Sequence, residues 1–166
     1  SRTWAGNMTR NSYRQTRIFE KRFNLQELVD GTKKNEFRIW YLSGSYNPQV
    51  VLIAKENSIN SWSLRTISFY ENKSDSINSD YTRPLKSGFK DSLNLNKYWN
   101  LTSQSNLING DSFGCMDGND ILLEMSDSSR YRFMWYRCPE INKDKDSSFL
   151  LISQLTDRIN SLVLKK

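Results

Sequence analysis

Apolar and polar residues alternate most clearly in the last third of the chain, in two runs at 121–125 and 131–136. A period of two is typical of β-strands, because successive side chains point to opposite faces of a sheet. Asp117-Gly118 has the composition of a type I′ turn, whose two central residues need positive φ, and Pro139 ends the second run. The pattern predicts a three-stranded antiparallel meander over 113–139.

Three earlier segments have the same β-rich character. They are 37–42, which is aromatic, 49–55, which is apolar on both faces, and 62–70, which alternates again. Short polar links join them, so we predict a second meander with the middle segment as a buried strand. The polar segment 71–111 shows no such pattern and is interpreted as a long excursion from the domain.

Two helices are expected at the ends of this series of strands. Asn24 and Glu27 have the spacing of a capping box and Gly31 follows as a stop signal, which predicts a short helix from residue 23 to residue 29. Near the C-terminus, apolar residues recur at spacings of three and four, as in an amphipathic helix. This stripe consists of Phe149, Ile152, Leu155, Ile159, Leu162 and Val163.

These elements predict an α+β fold: a mostly antiparallel sheet of about six strands, a short N-terminal helix, and the C-terminal helix packed on one face. Residues 1–22 are interpreted as a basic N-terminal arm, since they hold six basic residues and one acidic residue. Residues 23–166 then form a single domain that includes the polar excursion at 71–111. A length of 166 residues suits one domain with its own core.

The charge of the chain restricts its partners. The formal net charge is +6, and most of it belongs to the N-terminal segment. Such a segment can meet nucleic acid, an anionic membrane surface or an acidic protein, although a solvated basic helix face is the simpler interpretation. Apolar runs stay far below the roughly 18 residues that a membrane-spanning helix needs, so we expect no transmembrane segment.

The two cysteines, Cys115 and Cys138, stand near the two ends of the C-terminal meander. Two alternatives follow. A disulfide would be typical of an extracytoplasmic protein, whereas two buried thiols would suit a reduced cytosolic protein. A bridge requires Cα atoms within about 7 Å, and the predicted strands that carry the two cysteines are not adjacent.

Composition excludes several chemistries. The chain has no histidine, which removes Ser-His-Asp and Cys-His catalysis and histidine-ligated zinc. Glycine-rich nucleotide-binding motifs are absent as well. We therefore expect no metal site, no cofactor and no enzymatic activity. A hydrolase based on Glu124 and a neighbouring aspartate stays as an alternative. The aspartates near it in sequence are Asp111, Asp117 and Asp120.

Aromatic and basic residues interleave between Arg130 and Arg137, a composition shared by nucleic-acid-binding surfaces. We favour an aromatic core face for this strand, so a nucleic-acid partner is not expected. Exposed aromatic residues form hot spots in protein interfaces when they fill pockets. The candidate binding residues lie on the outer face of the sheet and in the excursion: Trp40, Tyr98, Trp99, Arg132 and Tyr136.

A pattern in the last third of the chain resembles that of lipoprotein-like bacterial extracytoplasmic proteins whose function is uncharacterised. Asp117-Gly118 is followed by a strand that ends near Glu124, by a strand that bears Tyr131 and Tyr136, and by Pro139 and an amphipathic helix. The cysteines are not part of this pattern. The resemblance implies a small envelope-associated bacterial domain and transfers no catalytic residue.

The function expected from these observations is that of a non-catalytic, extracytoplasmic bacterial domain that binds another macromolecule. The expected partner is a protein, because aromatic residues are abundant at 13% of the chain and catalytic constellations are missing. One alternative is an immunity-type inhibitor of a toxin or hydrolase, in which charge complementarity would dominate association. The other is the carboxylate-based hydrolase.

Overall fold

The computed structural model of the protein describes residues 4–43, 48–58, 61–70, 77–85, 96–113, 115 and 118–164. Its helices are α1 (Trp4–Arg22), α2 (Asn96–Trp99), α3 (Pro139–Asn142) and α4 (Ser147–Leu164), with short 3-10 turns at Gln104–Asn106 and Gly110–Ser112. Its strands are β1 (Glu36–Leu42), β2 (Gln49–Ser58), β3 (Ser61–Phe69), β4 (Ile77–Leu85), β5 (Asp120–Ser126) and β6 (Tyr131–Arg137).

All six strands belong to one antiparallel sheet in the order β4-β3-β2-β1-β5-β6. Strand β1 pairs with β2 on one side and with β5 on the other, so that Trp40 stands opposite Val51 and Leu122. The β1–β5 pair therefore joins the N-terminal strands and the C-terminal strands into a single sheet. The predicted α+β class with about six antiparallel strands is confirmed.

Both faces of the sheet are buried in its central strands, because each face carries a helix. On the α1 face, Phe19 and Phe23 pack in an apolar cluster with side chains of β1, β2, β3, β5 and β6. On the α4 face, Phe149 and Ile152 pack in a second cluster with the side chains of the opposite parity. The strands alternate between the two clusters, as a pleated backbone requires. The sheet is thus the middle of three layers.

Helix α4 confirms the predicted amphipathic helix. Its N-terminus is capped by Asp146, whose Oδ1 accepts the N–H of Ser148 at 2.7 Å. Three residues of the predicted stripe are buried against the sheet: Phe149, Ile152 and Leu155. The side chains of the other three lie outside the described part of the chain: Ile159, Leu162 and Val163.

The predicted short helix at 23–29 is wrong, because the chain forms a helix before this segment and not within it. Asn24 has a φ of 50°, the left-handed conformation in which helices commonly end. The N–H of Leu25 donates to the carbonyl of Glu20 at 2.8 Å, and the N–H of Asn24 donates to the carbonyl of Lys21 at 3.3 Å. These two bonds make a Schellman motif, so Asn24 is a C-terminal cap of α1.

The basic segment at the N-terminus contributes helix α1 to the body of the domain. Ala5 and Phe19 of this helix are 1% and 4% exposed, whereas Lys21 on the opposite side is exposed. Residues 4–22 therefore form a basic helix whose apolar side is part of the core.

One of the six strands lies where none was predicted. Strand β4 is inside the polar excursion at 71–111. Residues 113, 115, 118 and 119, where the first strand of the C-terminal meander was expected, are not in a strand. Asp117 of the predicted type I′ turn lies outside the described residues. The excursion was misinterpreted because β4 is exposed and has a correspondingly polar sequence.

A disulfide joins Cys115 and Cys138, whose Cα atoms are 6.4 Å apart. The bridge ties the segment before β5 to the residue that follows β6. Of the two alternatives for the cysteines, the disulfide is confirmed. Such a bond is compatible with an oxidising, extracytoplasmic compartment, since disulfides are rare in the reducing cytosol.

Candidate binding surface

A group of charged side chains is buried between α1 and the sheet. Helix α1 supplies Arg17 and Glu20, β1 supplies Glu36 and Arg38, and β5 supplies Glu124. We call these five residues the buried charge cluster. The most exposed of them, Arg17, is 14% exposed, because α1 lies over the group. Charges at this depth persist only when they are paired, so the cluster links α1 to the sheet.

Glu124 holds a donor on each of its carboxylate oxygens. The indole Nε1 of Trp40 donates to Oε2 at 2.7 Å, and the hydroxyl of Tyr131 donates to Oε1 at 2.8 Å. The guanidinium of Arg17 forms an ion pair with the same Oε1. A carboxylate that is fully buried and occupied in this way is positioned to anchor α1 and has no open side for a substrate.

Three carboxylates of the cluster share two guanidinium groups. Arg17 pairs with Glu124 and with Glu20, the latter at 2.8 Å, and Arg38 pairs with Glu20 and with Glu36, the latter at 2.6 Å. Burial, together with the neighbouring charge of Glu124, raises the pKa of Glu20 to about 7. Protonation of Glu20 would leave one carboxylate for each guanidinium, which explains the direction of the shift.

The carboxylates considered for catalysis are not brought together. Asp111 accepts the N–H of Ala5 at 2.6 Å, at the start of α1. Asp120 pairs with Arg137 at 3.3 Å. On strand β5, Asp120 and Glu124 are separated by four residues, or roughly 13 Å. In the described part of the chain, Glu124 therefore has none of these aspartates beside it.

Three of the five candidate binding residues are fully buried. Trp40 belongs to the core on the α1 face, and Tyr98 and Tyr136 belong to the core on the α4 face. The expectation that these aromatic residues lie on an outer surface is wrong, because both faces of the sheet are covered. Trp99 and Arg132 are partly exposed, and their role in binding stays a prediction.

The outer edge of β6 is closed by segment 101–104. The N–H of Trp135 donates to Oγ of Ser103 at 3.2 Å, and the N–H of Arg137 donates to Oε1 of Gln104 at 2.8 Å. These side chains occupy backbone groups that a further strand would otherwise bind. We call the outer side of β6 the sealed edge.

Two candidate binding residues help to hold this segment in place. The hydroxyl of Tyr136 donates to the carbonyl of Thr102 at 2.6 Å, and the guanidinium of Arg132 donates to the carbonyl of Leu101. Both residues therefore have a structural role at the sealed edge. This role does not depend on the prediction that Arg132 also contacts a binding partner.

The outer side of β4, at the opposite edge of the sheet, has no neighbouring strand among the described residues. Within the described residues, β4 pairs with β3 alone. Six of its nine residues are exposed, among them Ile77 at 46% and Tyr81 at 44%. At positions 77–82, no described residue outside β3 makes a backbone hydrogen bond to β4. We call the outer side of β4 the open edge.

A cleft of about 330 Å³ lies beside the open edge on the α1 face. Thr82 of β4, Arg65 of β3 and Lys55 of β2 contribute to its walls. Arg65 also makes two hydrogen bonds to Asp80, at 2.9 Å and 2.7 Å. Lys55 is 51% exposed and pairs with Glu36 at 3.6 Å, so it brings a partly neutralised positive charge to the cleft, two strands away from β4.

A second cleft, of about 240 Å³, lies on the α4 face beside Trp99, one of the candidate binding residues. Trp62 and Trp99 line it, together with Arg130. The guanidinium of Arg130 stands over the ring of Trp99 at 4.2 Å from its centroid, a cation–π contact. Trp99 is thus held in a defined position at the surface.

Sequence reasoning missed the open edge because it missed β4. The available signal was the strand-forming pair Tyr81-Thr82 within segment 77–85. Pro84 concealed it, since proline argues against a central strand, although edge strands tolerate proline.

No protein-family model, no curated protein and no solved structure matches this chain. No helix in the described ranges is long and apolar enough to cross a membrane. Among the same residues, no group of three or more histidine, cysteine, aspartate or glutamate side chains is arranged to hold a metal ion.

Proposed function

We propose that this chain is a non-catalytic, extracytoplasmic bacterial domain that binds another protein, and that the open edge of β4 is its binding site. The observation that carries the proposal is the contrast between the two sheet edges. The sealed edge of β6 is protected by Ser103 and Gln104, whereas residues 77–82 of β4 have no such protection in the described part of the chain. An edge of this kind is a ready template for another chain.

Two observations support the extracytoplasmic location. The Cys115–Cys138 disulfide is compatible with an oxidising environment, since disulfides are rare in the reducing cytosol. The C-terminal pattern from Asp117-Gly118 to Pro139 resembles that of envelope-associated bacterial proteins. The buried charge cluster supports the non-catalytic role, since Glu124 is fully engaged by Arg17, Trp40 and Tyr131.

The proposal is tested by capture of the tagged protein from its native cell extract, followed by mass spectrometry. Tyr81→Arg changes an exposed side chain of the open edge, and Ile141→Arg changes an exposed side chain on α3, at 61% exposure, as the matched control. We expect one stoichiometric partner protein with the wild type and with Ile141→Arg. Tyr81→Arg should reduce the captured amount by about tenfold, the loss typical of a disrupted interface residue.

Equal capture by all three proteins would contradict the assignment of the open edge. The absence of any stoichiometric protein partner would contradict the proposed function itself. Circular dichroism of the two variants establishes that both are folded before the comparison is made.

An immunity-type inhibitor of a toxin or hydrolase is the second candidate function. The observation that favours it is the net charge of +6, because strongly charged inhibitors associate rapidly with targets of opposite charge. The identity of the captured protein distinguishes this candidate, since an acidic toxin or hydrolase would move it to first place.

A further inference from the structure

Between residues 77 and 82, the open edge leaves backbone groups on one side of β4 without a partner in the described part of the chain. In an antiparallel pair, a strand bonds to its neighbour through alternate residues, so the intervening residues of β4 direct their N–H and C=O groups away from β3. At the sealed edge, the groups of Trp135 and Arg137 that point outward are bound by side chains. At positions 77–82 of β4, no described residue does the same.

Strand β4 also lacks most of the features that keep edge strands apart. Such strands are usually protected by lysine, by inward-pointing charges or by proline. Strand β4 contains no lysine, and the charge of Asp80 is paired with Arg65 at 2.7 Å. Pro84 removes one donor, but it is the second-to-last residue of the strand. The pairing with β3 shifts register between Ile77 and Ser79, so residues 77–82 keep an edge that is regular from Ser79 to Thr82.

We propose that an extended segment of an acidic partner protein binds the open edge as a seventh strand, through main-chain hydrogen bonds to residues 77–82. This inference rests on the proposed function and specifies its mode of binding. In strand addition, main-chain bonds supply affinity and the sites for alternate side chains supply specificity. The occupant is thus defined by its extended backbone as well as by its charge.

The acidic character of the partner follows from the charge of the chain and of the cleft beside β4. The chain carries a net charge of +6, and the cleft on the α1 face is lined by three basic residues and one acidic residue: Arg38, Lys55, Arg65 and Glu36. Lys55 pairs with Glu36 and Arg65 with Asp80, so the cleft keeps a small excess of positive charge. An added strand would lie about 4.8 Å from β4, with every second side chain on that face. An acidic side chain there would extend over Thr82 towards Arg65.

The other side chains of the added strand would lie on the α4 face. There they would meet Tyr81, which is 44% exposed. Cross-strand contacts with an aromatic residue favour an apolar or aromatic partner. The bound segment is therefore expected to alternate acidic and apolar residues.

The test uses a phage-displayed library of random twelve-residue peptides, selected against the immobilised full chain. We expect selected peptides in which acidic and apolar residues alternate. In synthetic copies, N-methylation of the backbone at every second position should weaken binding by about tenfold or more, while methylation at the intervening positions should have little effect. The reason is that only alternate N–H groups of an added strand point towards its neighbour.

Variants of the chain test the side-chain part of the inference. Arg65→Gln should weaken the binding of the selected peptides several-fold and reduce its dependence on salt, because it removes a positive charge and leaves Asp80 of β4 without its ion pair. Ile141→Arg, far from β4 in sequence and on α3, should bind them as the wild type does.

Strand addition would be overturned if N-methylation had the same small effect at every position of the peptides. It would also be overturned if no selected peptide bound Tyr81→Arg more weakly than it binds the wild type. Either result leaves the proposed function to the capture experiment. A further outcome is that the capture experiment loses its partner with Tyr81→Arg while N-methylation of the peptides has no positional effect. That combination would establish that the partner binds the open edge through side chains. A missing partner would instead remove the proposed function.

Discussion

The buried charge cluster shows what single residues contribute to this molecule. Arg17 and Arg38 bring two positive charges to three carboxylates, and Glu20 lies between both guanidinium groups. Removing one member of such a group leaves an uncompensated charge in a dry environment, which costs several kcal/mol. The sequence does not reveal this arrangement, because its members come from α1, β1 and β5 and meet only after the sheet has formed.

The raised pKa of Glu20 predicts that stability depends on pH. Since this pKa is about 7 in the folded protein and near 4.5 for an unburied glutamate, the folded state retains a proton that the unfolded state has released. The free energy of unfolding should therefore fall as the pH rises from about 4.5 to about 7. In the wild type, this decrease should be on the order of 1–3 kcal/mol, measured by urea denaturation across this range. Glu20→Gln mimics the protonated form and should not show it.

Identical pH profiles for the wild type and for Glu20→Gln would contradict the role of Glu20. A wild type that gains stability relative to the variant as the pH rises would show instead that Arg17 and Arg38 dominate, so that Glu20 remains ionised. Glu140→Gln, at an exposed position on α3, is a suitable control for the loss of a carboxylate.

At the scale of elements, the structure explains which segments the sequence predicted well. Strands β1, β2, β3, β5 and β6 and helix α4 have apolar residues in a regular period, and all were predicted within a few residues. The segment after α1 was misassigned because Asn24 favours both helix starts and left-handed helix ends. Strand β4 was missed because an exposed edge strand needs no apolar face.

The disulfide fixes the segment before β5 to the end of β6, and its removal tests that element. The two cysteines are separated by 23 positions, and a loop of this length corresponds to a stabilisation of about 3 kcal/mol in the chain-entropy account. We expect the double variant Cys115→Ala/Cys138→Ala to lose about this much free energy of unfolding in urea. Reduced wild-type protein should behave like the variant. A variant as stable as the oxidised wild type would show that the bridge does not constrain the chain.

At the scale of the whole molecule, the described residues close the edge of the sheet along β6 and place no strand beside the edge along β4. Segment 101–104 closes the sealed edge, and both faces are covered by helices. The open edge is consequently the place where the described fold can be extended without rearrangement. The binding role that we propose for it depends on tertiary structure, since neither the pairing of β4 with β3 nor the protection of β6 follows from local sequence patterns.

The candidate binding residues show the same limit. The sequence identified aromatic residues such as Trp40 and Tyr136 but not whether they face solvent, because both faces of this sheet are apolar. Alternation assigns side chains to two sides, whereas burial depends on what covers each side. The fold class was therefore predictable, and the site was not.

Amide hydrogen exchange of the free protein, followed residue by residue by NMR, tests the central claim most directly. We expect alternate amides between residues 77 and 82 to exchange rapidly, because their N–H groups point away from β3, while the amides of Trp135 and Arg137 exchange slowly at the sealed edge. Slow exchange of every amide in this part of β4 would contradict the account, since the edge would already be occupied in the free chain.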